Sequence, residues 1–347
     1  MTIFYYFDRN ILVKRLAFCL FSLFFVGCLQ AQTPNRVTYM AEYYYQSALY
    51  NPAFAGDPSQ PNVLFSGRID QQKSFSGDAM RPHTLNAMLQ THAERFKSGV
   101  GFAISYHNYD ETYYSALYNA YYPSKKRQLK IGLLHNYRIE FSEGISLRVG
   151  AQAALFHFRA IDPAVYINPG NPQSVVPLNE RTFKFNLDLG ALFRLDKYYL
   201  GIAVLHANQQ QFQFLQPGTI YYFRQMLNLQ TGYRFGFNYD LWHLEPSITI
   251  LAQTSPWSGD RFALMDFGVI ADYDERFFLG AAYRINDIPD YFLSLKAGIR
   301  FRETTHWSFA YHLARNNNGS ASTSVLPLRF ETTIAFFMKK NAETDEQ

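Results

Sequence analysis

Phe183-Lys-Phe-Asn-Leu-Asp-Leu-Gly-Ala-Leu-Phe-Arg194 decides the fold. Phe183, Phe185, Leu187, Leu189, Ala191 and Phe193 fall on one parity; Lys184, Asn186, Asp188, Gly190 and Arg194 fall on the other. A period of two places these sets on opposite faces of an extended strand. The pattern recurs. Val100, Phe102, Ile104 and Tyr106 alternate with Gly101, Ala103, Ser105 and His107. Tyr291, Leu293, Leu295, Ala297, Ile299 and Phe301 alternate with Ser294, Lys296, Gly298, Arg300 and Arg302. Runs of about nine to eleven residues, apolar on one face and small, polar or charged on the other, suit tilted strands crossing a hydrocarbon layer. Tyr, Phe and Trp often stand at the ends of the apolar faces, as aromatic girdles require.

Fifteen such runs lie near 63–69, 83–91, 99–108, 113–121, 128–139, 145–158, 183–194, 198–206, 222–235, 244–253, 261–271, 276–285, 291–302, 305–313 and 328–338. Bacterial barrels have an even number of strands. The sequence therefore predicts an all-β fold, a transmembrane antiparallel up-and-down β-barrel of about 14 strands over 63–338. A soluble β-sandwich or solenoid is the competing fold. Pro163, Pro169, Pro172 and Pro177 make 160–181 poor strand material, so that stretch reads as a surface loop or an inward-folded constriction. Asn316-Asn-Asn-Gly-Ser320 reads as a second loop.

Composition narrows the class. Of the 347 residues, 18% are aromatic and only 17% charged, against about 25% charged in soluble domains. A net charge of +4, with Lys and Arg scattered along the chain, gives no nucleic-acid footprint.

Lys14-Arg15 precede a 12-residue apolar run, Leu16 to Gly27, followed by Leu29-Gln30-Ala31. That run is short for a membrane anchor and matches a secretory signal peptide, residues 1–31. Both cysteines, Cys19 and Cys28, lie inside it. Cleavage after Ala31 removes them, and with them any disulfide or thiolate chemistry. Acylation of Cys28 is the alternative. Residues 339–347 form a polar C-terminal tail.

Residues 32–62 do not alternate. The aromatic-rich Tyr43 to Gly56 is too apolar to float free, which predicts a periplasmic or plug segment packed inside or beneath the barrel. Tyr50-Asn51-Pro52-Ala53-Phe54-Ala55-Gly56 resembles the N-terminal signature of the PorP/SprF membrane proteins of Bacteroidetes type IX secretion and gliding machinery. Gly99 to Ser105, Tyr118 to Tyr122, Leu129 to Leu133, Tyr198 to Ala203, Leu244 to Ser247 and Phe277 to Arg284 resemble the family along most of the mature chain. The resemblance implies an integral outer-membrane protein in contact with outer-membrane lipid. It implies that the chain aids secretion or surface attachment of a large adhesin-like client, and docks a periplasmic peptidoglycan-associated lipoprotein. A porin or small-molecule transporter is the alternative.

The sequence holds no Gly-x-Ser-x-Gly, phosphate-loop or His-Glu-x-x-His motif, so neither catalysis, a cofactor nor a metal is expected. A hydrolase built on Ser308, His312 and Glu331 is the weakest reading. His306 and His312 share the lumen parity. Arg148, Arg224, Arg234, Arg284, Arg300, Arg302 and Arg329 can meet Asp188, Asp266 and Glu331 there. Such a set would grip a plug or a translocating chain, or pair with itself and stiffen the wall.

Overall fold

The computed structural model describes residues 46–337, apart from 58, 71, 74–78, 81–82, 116–119, 166–174, 209, 214–219, 224, 239–240, 254–261, 287–292, 302–303 and 314–328. The signal-peptide, Cys28 and C-terminal-tail expectations, and the loop read at 316–320, lie outside those residues. The barrel strands are β1 (Val63–Asp70), β2 (His83–Ala93), β3 (Ser98–Ser115), β4 (Ala120–Ser142), β5 (Ile145–Val165), β6 (Val175–Leu195) and β7 (Tyr198–Leu205). They continue with β8 (Met226–Tyr233, carried on by Phe235–Phe237), β9 (Trp242–Gln253), β10 (Phe262–Tyr273), β11 (Phe277–Asn286), β12 (Leu293–Phe301), β13 (Thr305–Leu313) and β14 (Arg329–Phe336).

Each strand pairs antiparallel with the next, and β1 pairs with β14 from Val63↔Phe336 to Asp70↔Arg329. The result is a closed 14-stranded barrel. Closure leaves no sheet edge for lipid to face.

Fifteen candidate runs become fourteen strands because 113–121 is not a strand of its own. It straddles the β3–β4 hairpin, in which Ser115 pairs with Ala120 and Asp110 with Lys125. Lys125-Lys126-Arg127 interrupts the apolar alternation, so the paired tips of two long strands looked like a third strand. The expected loop over 160–181 is corrected too. β5 runs on to Val165 and β6 starts at Val175, leaving 166–174 between them. Pro163 faces Pro177 across the ladder, so the two missing N–H groups fall on one rung.

Connections at one end are two to four residues long; those at the other run from four to twenty. Residues of one parity face outward and are apolar, with Phe65, Leu133, Leu155, Phe185 and Leu279 all more than half exposed. Phe96, Tyr137, Phe141, Trp242, Tyr273, Phe277 and Phe301 are likewise exposed at the short-turn end. Trp242 and Tyr273 pack with ring centroids 4.7 Å apart. The buried core lies inside the wall.

Candidate functional site: the occupied lumen

Residues 46–62 pack against the inner faces of the strands. Asn51 opens the segment's tight turn. It is extended, and its Oδ1 accepts from the Ala53 N–H at 3.0 Å, capping the 3₁₀ turn Pro52–Phe54 with Pro at the first position. Before it lies one helical turn, Ser47–Tyr50. After it, Gly56 adopts φ +63°, and a Cβ there would lie 2.9 Å from the Gly99 α-carbon. Only glycine meets both demands.

The wall is prepared for this segment. Gly99, Asn136, Gly150, Gly190, Ala203 and Asn228 are successive cross-strand partners, one per strand from β3 to β8. Their side chains share the inward face. Three glycines and an alanine in one row leave a shallow track across the strands, and the segment lies in it. A Cβ on Gly150 would stand 2.5 Å from the Ala53 nitrogen; one on Gly99 would collide with the Ala55 carbonyl, and one on Gly190 with the Asn51 amide oxygen. One row over, a Cβ on Gly201 would sit 2.9 Å from Asn51 Nδ2 and 3.0 Å from the Phe54 ring.

The two asparagines of the row bond to the segment's backbone. Asn136 Nδ2 donates to the carbonyls of Ala53 (3.0 Å) and Ala55, while its Oδ1 accepts from Gly99 N–H at 3.0 Å. Asn228 Nδ2 donates to Tyr50 O at 3.2 Å. Asn51 Nδ2 donates in turn to Ala191 O at 3.1 Å. Gln90 accepts from Gly56 N–H at 3.0 Å and donates to Pro61 O at 2.7 Å. At the segment's far end, Asn86 on β2 donates to Gln46 Oε1 at 3.0 Å. The segment thus passes from the β7–β8 wall to the β2 wall.

Between these bonds the space is apolar. Ala48, Ala53, Phe54 and Ala55 are at most 2% exposed and pack with Leu64, Met88, Leu134, Leu192, Phe278 and Ala335. Those side chains come from β1, β2, β4, β6, β11 and β14, so apolar groups from six strands meet the segment at this level.

Asp57 fixes the end nearest the short turns. Arg194 donates to it through Nε (2.9 Å) and Nη2 (2.8 Å), and Arg148 Nη1 lies 3.5 Å away. Ser59 donates its backbone N–H at 2.9 Å and its hydroxyl at 2.6 Å. Burial alone would push this carboxyl up; Arg194 and Arg148 outweigh it and hold the carboxyl below its ordinary value.

The lumen charges named from the sequence meet partners across the lumen wall. Asp188 takes 2.5 Å contact from Lys130 and 2.7 Å from the His206 N–H. Arg284 grips Asp266 with two bonds, 2.6 and 2.5 Å. Glu331 lies 3.9 Å from Arg68 and 3.2 Å from His312. Arg234 and Arg300 converge on Glu275 at 2.9 and 2.6 Å. Burial would raise the Glu275 carboxyl, but the Arg300 hydrogen bond and charge, with Arg234, hold it low. Arg148 belongs with Asp57. Arg224 and Arg302 lie outside the described residues, and of Arg329 only the strand backbone is described.

Sequence reading missed Asp57, Lys130, Arg194, Arg68 and Glu275 as partners. Strand parity marks Lys130, Arg194 and Arg68 as inward; nothing periodic marks Asp57 or Glu275, which lie outside strands. The hydrolase reading also shifts. Ser294 Oγ, rather than Ser308, meets His312 Nδ1 at 2.8 Å. Ser294, His312 and Glu331 are 1%, 0% and 0% exposed, so no substrate reaches that serine in this state. Among the described residues no three His, Cys, Asp or Glu side chains gather as metal ligands do.

Among solved structures, a Pseudomonas aeruginosa FadL homologue is 13% identical with a TM-score of 0.51, the match covering 88% of this chain and 98% of that one. The Ralstonia pickettii toluene transporter TbuX is 10% identical with a TM-score of 0.50, covering 84% and 92%. At such identities the likeness is one of fold. No curated protein matches the chain. The family described as type IX secretion system membrane protein PorP/SprF matches residues 32–330. With residues 32–330 of its 347 matched, the chain belongs to the PorP/SprF family of type IX secretion system membrane proteins.

Proposed function

We propose that this protein is a non-enzymatic outer-membrane component of type IX secretion and gliding machinery. In this reading it aids secretion or surface attachment of a large adhesin-like client, and docks a periplasmic partner such as a peptidoglycan-associated lipoprotein. Its short turns face the periplasm and its long connections face outward, the usual arrangement of bacterial barrels.

The observation that carries the reading is the seated segment 46–62. A pore needs a continuous wet path, whereas this lumen is crossed by an apolar core anchored to both walls. The family signature is spent on closing the barrel, which leaves rims and loops to contact other proteins. The porin or transporter alternative would need that segment to leave.

Affinity purification of a tagged copy from outer membranes, followed by mass spectrometry, tests the reading. Co-purification of a peptidoglycan-binding lipoprotein or a giant secreted adhesin is the expected result. A partner-free barrel that conducts ions would overturn it.

A further inference from the structure

A cleft of about 690 Å³ opens at the short-turn end, beside the seated segment. That volume lies in the range of real ligand pockets. Arg138, Arg148 and Arg194 line it, together with Asp57, Ser59, Glu140, Glu143 and Asp196.

Two of the three guanidiniums already display how the cleft takes a carboxylate. Arg194 grips Asp57 with two bonds and also donates to Ser59 Oγ at 2.8 Å, so it reads the carboxylate and the hydroxyl two residues on together. Arg148 stands behind with a side chain only 3% exposed, and its Nε and Nη1 make no hydrogen bond. Arg138 Nε is in the same condition. A deeply buried guanidinium holding unused donors is costly unless an acceptor serves it. The chain's own Asp57 meets only part of that demand.

We propose that this cleft is a binding site for the aspartate carboxylate of a partner protein's Asp-x-Ser turn, which exchanges with Asp57 and so releases the seated segment from that anchor. The acidic walls set the specificity. Glu140 is balanced by Lys97 (3.4 Å) and Arg138 (3.1 Å), but Glu143 and Asp196 repel a polyanion. A single carboxylate on an otherwise neutral peptide fits; nucleic acid or a run of lipid phosphates does not. The site stands on the geometry of the cleft and rests on the docking reading only in placing it on the periplasmic side.

The probe is an acetylated, amidated peptide, Ala-Gly-Asp-Pro-Ser-Gln, copied from residues 55–60. The same peptide with Asn for Asp is the comparison, and a third carries no side-chain acid but a free C-terminal carboxylate. Binding is measured by calorimetry on the detergent-solubilised full-length barrel. In Asp57→Asn the internal carboxylate is gone, so the Asp peptide should bind at least tenfold more tightly than to the wild type. The Asn peptide should not bind, and adding Arg194→Gln should abolish binding. The free-terminus peptide distinguishes a general carboxylate site, on which it binds equally, from an Asp-x-Ser site, on which it binds at least tenfold more weakly; only the second agrees with the proposal. Should Asp57→Asn yield no folded barrel, Ser59→Ala, which loosens the same turn without moving a charge, takes its place with the same expected order. Equal binding of the Asp and Asn peptides, or no saturable binding to any variant, would overturn the proposal. Neither result bears on whether partners co-purify.

Discussion

Gly190 lies so close to Asn51 that a Cβ at position 190 would collide with the Asn51 amide oxygen. The two residues are 139 positions apart in sequence, and each has the form the other requires. Asn51 caps its own turn through Oδ1 and reaches the Ala191 carbonyl through Nδ2; the bare wall at 190 lets it sit there. Gly190→Val suits a strand in itself but overfills this contact. The barrel should still close, with stability reduced by about 1–3 kcal/mol, the usual cost of overpacking. The temperature at which it loses its compact mobility on a gel measures this.

Asn136 links wall and segment through its amide, donating to the carbonyls of Ala53 and Ala55. Asn136→Leu keeps the volume and removes the amide, leaving the Ala53 carbonyl and the Gly99 N–H without those bonds. Each buried group left unsatisfied costs about 1–3 kcal/mol. The variant should be less stable than Asn228→Leu, which gives up one bond to the segment, to the Tyr50 carbonyl. Urea unfolding in lipid vesicles ranks the two.

The Asp57 anchor has a defined response to acid. Its folded-state value is depressed, so its contribution is complete above the ordinary carboxylate pKa of about 3.9. It is lost as pH falls through the lower folded value. Wild-type stability minus Asp57→Asn stability should be flat from pH 8 to about 5 and shrink below about pH 4. A difference that grew on acidification would show that Asp57 is not held as an anion.

Arg284 and Asp266 are a buried pair. Removing either alone should cost about 3–5 kcal/mol, because its partner stays buried and charged. Replacing both with apolar residues of similar size should cost less than either single change. A double-mutant cycle by urea unfolding checks this.

The barrel was legible because lipid on one side and a polar, packed lumen on the other enforce a strict period of two, visible in Phe183 to Arg194 and Tyr291 to Arg302. Legibility failed where that constraint ends. Beyond the apolar belt, β3 to β6 continue as paired strands, so 113–121 read as a strand of its own and 160–181, with its four prolines, read as a loop. The seated segment announced itself by composition, but its track did not. Gly99, Gly150 and Gly190 are each ordinary strand glycines; only register puts them side by side. The charged clusters were half visible for the same reason. Parity points Arg148 and Asp188 inward, while the residues they meet, Asp57 and Lys130, are fixed by cross-strand and through-lumen geometry.

The central claim is that this barrel is closed by its own residues 46–62. Planar-bilayer conductance of the full chain, beside a variant lacking residues 46–60, tests it most directly. The account predicts no steady open channel for the full chain and discrete conductance steps once the segment is removed. A stable ohmic pore from the intact protein, unchanged by the deletion, would contradict it.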